Sequence, residues 1–165
     1  MPPPKTYEIQ SGYALGLVSM KEIIGWAVGA LEAGFDSKSL RILAGLDGDI
    51  DQQEVARLHS ACFKELDISP LPEQSHLRFY ASLVLREMLA DRLPRREAFK
   101  RLSELCISLS YPKELMDFYL LYHAKWDLES AEVQWYWKGA DRSNIDAIID
   151  EHATSWLQEN VSPEA

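Results

Sequence analysis

From Leu77 to Leu89 the residues Leu77, Tyr80, Ala81, Val84, Leu85, Met88 and Leu89 are apolar at i, i+3, i+4 intervals, while Arg78, Ser82, Arg86 and Glu87 fill the other side. That period lays one continuous stripe along a helix and does not suit a half-buried strand, whose faces alternate residue by residue. The stripe must be covered, and in a chain that repeats the same period elsewhere the cover is other helices.

The pattern recurs between firm breaks. Ser19-Met-Lys-Glu22 reads as a capping box opening a helix that runs to about Ala33, with Gly34 beyond its end. Asp36-Ser37 caps the next, and Gly45 and Gly48 close it. Asp51-Gln-Gln-Glu54 resembles a second box, flanked by Ile50 and Val55 as a hydrophobic staple, and leads into Val55, Leu58, Cys62 and Leu66 on one face. Ser69-Pro70-Leu71-Pro72 stops that helix. Pro94 opens another with Ala98, Leu102, Leu105, Cys106 and Leu109 inward; Glu97–Arg101 and Lys100–Glu104 are i,i+4 pairs on its outside. Pro112 opens a further one with Leu115, Tyr119, Tyr122 and Trp126 in line. Asp141 or Ser143 caps the last, with Ile145, Ile148, Ile149, His152 and Trp156 inward. Residues 133–137, Val-Gln-Trp-Tyr-Trp, are β-prone, and either an extended or a helical form suits them.

The expected fold is therefore all-α: a single-domain bundle or array of seven to eight helices across residues 11–161. Pro2, Pro3 and Pro4 mark residues 1–10 as a flexible arm, the first helix covering about Ser11 to Val18, and residues 162–165 as a frayed tail. A chain of 165 residues buries roughly two-thirds of its unfolded surface, enough for a core without staples. Gly12-x-x-x-Gly16 and Gly25-x-x-x-Gly29 suggest tight helix crossings, which would offset the weak helix propensity of glycine.

The segments Trp26-Ala27, Ala30-Leu-Glu-Ala-Gly-Phe-Asp-Ser37 and Leu40-Arg-Ile-Leu-Ala-Gly45 resemble parts of uncharacterised small bacterial proteins. The resemblance is confined to Trp26–Gly45; it implies a bacterial source and a helical fold, and no function.

Charge narrows the partners. The formal net charge of -9 repels phosphate backbones and anionic membranes, so neither nucleic acid nor a membrane is expected, and any macromolecular partner should be basic. Cys62 and Cys106 lie in apolar helical stripes rather than a loop framework, and the opening residues lack the charged-then-apolar order of a signal peptide. Lys21 and Glu22 interrupt the most apolar stretch, Gly12 to Leu31, leaving neither half long enough for a bilayer. A cytoplasmic protein with reduced core thiols is expected.

No catalytic signature stands out. GxSxG, GxxxxGK[ST], GxGxxG and HExxH are all absent, so no catalytic residue and no cofactor is assigned. Asp47-Gly-Asp49-Ile-Asp51 begins like a calcium loop, but Gln52 stands where the turn needs glycine and Leu58 where a bidentate glutamate belongs. These acids suit the positive end of a helix instead. His59, His123 and His152 are scattered, and metal binding would require the fold to gather them. Arg86, Arg92, Arg95, Arg96, Lys100 and Arg101 are interleaved with Glu87, Asp91 and Glu97, as on a solvated face of local pairs.

Eight aromatic residues fall between Tyr111 and Trp137: Tyr111, Phe118, Tyr119, Tyr122, Trp126, Trp135, Tyr136 and Trp137. If residues 133–137 are extended, Trp135, Tyr136 and Trp137 cannot all face inward. Exposed aromatic residues beside acidic charge make up many protein-binding surfaces. The leading expectation is a non-enzymatic module that binds a basic protein, of the immunity or antitoxin kind, through Asp47, Asp49, Asp51, Glu54, Trp135, Tyr136 and Trp137. The alternatives are a metal-dependent enzyme or metal-binding protein using the histidines, and a homo-oligomeric structural or regulatory subunit with the aromatic residues at the subunit contact.

Overall fold

The computed structural model describes residues 1–160, and those residues form eight α-helices and no strand. The chain is all-α, as its periodicity requires. By internal packing it divides into two compact units, one spanning Met1–Tyr80 and the other beginning at Ala81. The expected frayed tail, residues 162–165, lies outside the described residues.

The first unit holds α1 (Thr6–Ala14), α2 (Met20–Glu32), α3 (Lys38–Ala44) and α4 (Gln52–Glu65). The 3-10 turn Glu73–Ser75 then leads into α5 (His76–Leu89). Thr6 to Gln10, expected in the arm, are instead the first turns of α1. The prolines cannot join a helix, but the Pro3 carbonyl accepts the Thr6 hydroxyl at 2.7 Å, and Trp26 Nε1 donates to the same hydroxyl at 3.2 Å. That buried chain of bonds fastens the start of α1 to α2. The Ser19–Glu22 capping box forms as expected: Ser19 Oγ accepts the Glu22 amide at 3.3 Å, and the Glu22 carboxylate takes the Ser19 amide at 2.7 Å. The Asp51 box forms only by half, because Asp51 caps Gln53 while Glu54 turns to Arg57. Glu65, at the end of α4, accepts both the amide and the hydroxyl of Ser39, at 2.8 and 2.7 Å, tying α3 to α4. These bonds hold the Glu65 carboxyl below its ordinary value.

The core of this unit is Ile9, Ile23, Trp26, Ala27, Ala30, Leu40, Leu43, Val55, Leu58, Cys62 and Phe63. Each large aliphatic side chain buried there contributes roughly 1.5–3 kcal/mol before entropy is charged against it. His59 sits within the aromatic part of the core. Its ring meets Phe63 at 5.1 Å, Trp26 at 5.2 Å and Tyr13 at 6.2 Å, all edge-on.

The glycines divide differently from the expectation. A Cβ at Gly12 would collide with Val18, which folds back over the end of α1. A Cβ at Gly25 or Gly29 meets nothing within 4 Å, so these two mark an open groove rather than a tight crossing.

The second unit holds the rest of α5 with α6 (Arg95–Ser108), α7 (Lys113–Ser130) and α8 (Ile145–Asn160). α6 packs most extensively on α7. Phe118 of α7 meets Phe99 of α6 at 5.5 Å and His152 and Trp156 of α8 at 5.4 and 5.7 Å. The inward face of α7 is Leu115, Phe118, Leu121, Ala124 and Leu128. The line through Tyr119, Tyr122 and Trp126 is displaced to the flank, with the two tyrosines half-buried and Trp126 exposed. Ion pairs join the helices: Arg95 to Asp150 in a two-pronged bond at 2.6 and 2.8 Å, and Lys125 to Asp146 at 2.6 Å. Both cysteines are buried and unpaired. Burial pushes the Cys62 thiol up to about 11, with Glu65 adding to it.

With this packing, Gly25→Ala and Gly29→Ala each stabilise by about 0.5–1 kcal/mol, and Gly12→Ala destabilises, all read from urea midpoints. Burial alone depresses His59 to about 4. The folded state then binds fewer protons than the unfolded chain between about pH 6.5 and 4, so the stability that the neutral ring supports is complete above 6.5 and is lost as pH falls through that window. His59→Phe removes this contribution: the loss in unfolding free energy between pH 7 and pH 4 is smaller than in wild type by on the order of 3 kcal/mol.

Candidate functional site

α7 stops where Ala131 turns to an extended conformation. The connection to α8 is neither strand nor helix: residues 131–140 form a run of bends and turns built on one buried side chain. The Gln134 amide nitrogen donates to the Trp137 and Ala140 carbonyls, and its oxygen accepts the Tyr136 and Trp137 amides, both at 2.8 Å. The side chain does for this loop what a ladder does for a strand, satisfying backbone groups that would otherwise lack partners. Gly139, at φ 84°, supplies the left-handed step that closes the loop. Asp141 then accepts the amides of Ser143 and Asn144, at 2.8 and 3.1 Å, starting the turn that leads into α8.

The three aromatic residues part company here. Tyr136 stacks on His123 of α7 at 5.2 Å. Trp137 is half-buried and meets His152 of α8 edge-on at 5.7 Å. Trp135 points away, 90% exposed, with Val133 exposed beside it. The backbone beneath Trp135 is thus fixed from both sides while the indole stands in solvent. Nearby, Trp126 is half-covered by the Arg96 guanidinium, 4.4 Å above its ring.

The acidic residues lie in the other unit. Asp47 and Asp49 are exposed in the α3–α4 connection. Asp47 accepts the neighbouring Gly48 amide at 2.7 Å, Asp51 caps α4 at 3.0 Å, and Glu54 is held by Arg57 at 2.7 and 3.0 Å. Three of the four acids are therefore engaged within the fold, Asp47 only by its neighbour's amide, and Arg57 holds the Glu54 carboxyl below its ordinary value. The basic residues of α6 and of the connection before it are likewise engaged: Arg92 with Glu87, Arg95 with Asp150, Arg96 with Glu129, Arg101 with Glu97 and Lys100 with Glu104.

The histidines occupy different surroundings. His59 is in the first core. His123 lies between Tyr119 and Tyr122 with its Nε2 buried and unpartnered. His152 faces Asp117 at 3.5 Å, and burial outweighs that carboxylate in lowering its pKa. Among the described residues no three His, Cys, Asp or Glu side chains gather closely enough to hold a metal ion. No helix among them is long and apolar enough to cross a membrane.

Comparison with models of protein families, with curated proteins and with solved structures gives no match for this chain. Sequence reasoning singled out Trp135 but overlooked Gln134. Its signal was present: a lone amide inside an apolar, aromatic run has to find partners once buried.

Gln134→Ala leaves the Tyr136 and Trp137 amides and two carbonyls without their partner. It costs about 1–3 kcal/mol and speeds amide exchange across residues 136–140, while Gln134→Glu, which keeps the acceptor and loses the donors, is also destabilising; denaturation and hydrogen exchange check both.

Proposed function

We propose that this chain is a non-enzymatic binding protein whose α7–α8 loop docks on a basic protein partner, with Trp135 as the anchor. The observation that carries the reading is a nearly fully exposed tryptophan on a backbone pinned by Gln134. An exposed indole gains nothing for the folded monomer. A loop already ordered loses little entropy on docking, and tryptophan is the residue that most often dominates such contacts. Val133 and Tyr136 extend the apolar surface around it, and Glu132 adjoins it. Both units carry more acidic than basic side chains, which favours a basic partner and speeds encounter with it. Asp47 and Asp49, whose carboxylates are exposed, contribute to that steering field; Asp51 and Glu54 have structural duties as well. A toxin-neutralising role is one form of this function, and the cytoplasm is the compartment that suits its buried free thiols.

Capture from the source lysate at low and high salt, with wild-type and Trp135→Ala protein side by side, tests the reading. A stoichiometric basic protein that weakens with salt and binds the variant about 30-fold less tightly is the expected result, with the variant's melting temperature unchanged. Equal capture by the variant overturns the anchor. Trp135-dependent self-association in sedimentation replaces the basic partner with a second copy of the chain.

A further inference from the structure

The first unit contains a cleft of about 450 Å3, and none of its lining residues belongs to the aromatic loop. That volume falls within the span of small-ligand sites, roughly 300–1,000 Å3. α1 supplies Gln10, Tyr13 and Ala14; α4 supplies Ala56, His59, Ser60, Phe63 and Lys64; Ile68, Pro70 and His76 complete it.

Its chemistry is uneven. Tyr13, Phe63, Ile68 and Pro70 make a largely apolar and aromatic wall. In a chain with 26 acidic residues, no carboxylate lines the cleft, and its only permanent charge is the Lys64 ammonium. Lys64 is exposed and makes no ion pair among the described residues. Gln10 has its oxygen engaged by the Leu71 amide at 3.0 Å, leaving the two N–H donors of its amide for another partner. His76 is held from behind by Ser11, 3.2 Å from its Nδ1.

His59 is the second, independent sign. The residue is only 6% exposed, it lines the cleft, and its Nε2 is buried with no hydrogen-bond partner. Buried polar atoms in folded proteins nearly always have a partner, and an orphan on a residue that lines a cleft is a place where a ligand could supply one. A half-turn of an imidazole about χ2 exchanges its carbon and nitrogen edges without changing its shape, so the proposed contact needs only that turn and no repacking of the core. The neutral ring imposed by burial lets that nitrogen donate or accept.

We infer that this cleft binds a small aromatic monocarboxylate, its ring between Tyr13 and Phe63, one polar contact to the His59 imidazole, and its carboxylate at the mouth against Lys64 and the Gln10 amide. The site is independent of the proposed docking loop, and each stands or falls alone.

Titration of the full chain with benzoate, 4-hydroxybenzoate and indole-3-acetate, followed by calorimetry and amide chemical shifts, tests it, with indole and tryptamine as neutral and cationic controls. At least one acid binds one-to-one, indole binds more weakly, and tryptamine weakest. Lys64→Gln, a surface change, reduces the affinity for that acid about tenfold and leaves indole unchanged, in line with the loss of one charge-assisted contact. Ala56→Trp fills the cleft and abolishes both, while Trp135→Ala alters neither. Absence of saturable binding by every acid, or acid binding untouched by Lys64→Gln and Ala56→Trp, overturns the inference.

Discussion

Phe118 is the contact on which the second unit closes. Its ring receives the edge of Phe99 from α6 and of His152 and Trp156 from α8, so three helices share one buried side chain. An amphipathic helix cannot cover its own stripe, and the geometry that covers three at once is narrow because aromatic rings prefer edge-on approach at about 4.5–7 Å. Once α7 and α8 are held by that junction, the chain between them must cross a short distance. The bonds of Gln134 determine how it does so, and the exposure of Trp135 is the consequence.

The first unit solves the same problem with a polar ring. His59 stands where a phenylalanine would pack, among Tyr13, Trp26 and Phe63. Leaving its Nε2 without a partner counts against stability, as does the need to keep the ring neutral once pH falls below about 6.5, and a hydrocarbon ring of similar size would avoid both. A polar ring set in an aromatic core and lining a cleft is the feature on which the proposed ligand site rests. His76 offers a contrast: similarly buried and lining the same cleft, it has Ser11 as a partner.

Charge in this molecule acts at two levels. Close pairs such as Arg95–Asp150 and Glu65–Ser39 fasten helix to helix, and each takes its groups out of circulation for binding. What remains is the diffuse surplus of acid over base, which would steer a basic partner of the kind proposed but cannot specify one. Specificity has to come from shape and apolar area, and the exposed aromatic loop and the cleft beside His59 are where such features occur.

Helix positions were legible in the sequence because they depend on neighbours three and four residues away. The stripes of α5, α6 and α8 declare themselves in that way, apart from Leu89 and Leu109, which are exposed, and Ser82, which is buried, and so do the Ser19–Glu22 box and the Asp141 cap. Features that depend on distant residues were not legible. Thr6 joins a helix because Trp26 and the Pro3 carbonyl engage its hydroxyl, and Gly25 and Gly29 face open space because no atom comes within 4 Å of where their Cβ would stand. The same division holds for the candidate sites. The aromatic run around Trp135 was visible by composition, whereas its orientation, the anchoring amide of Gln134, the distinct surroundings of the three histidines and the cleft beside His59 exist only once the helices have packed. Local periodicity determined that this chain is helical and roughly where; long-range packing alone decided which side chains are left facing solvent or a cleft, because that depends on which apolar faces find each other.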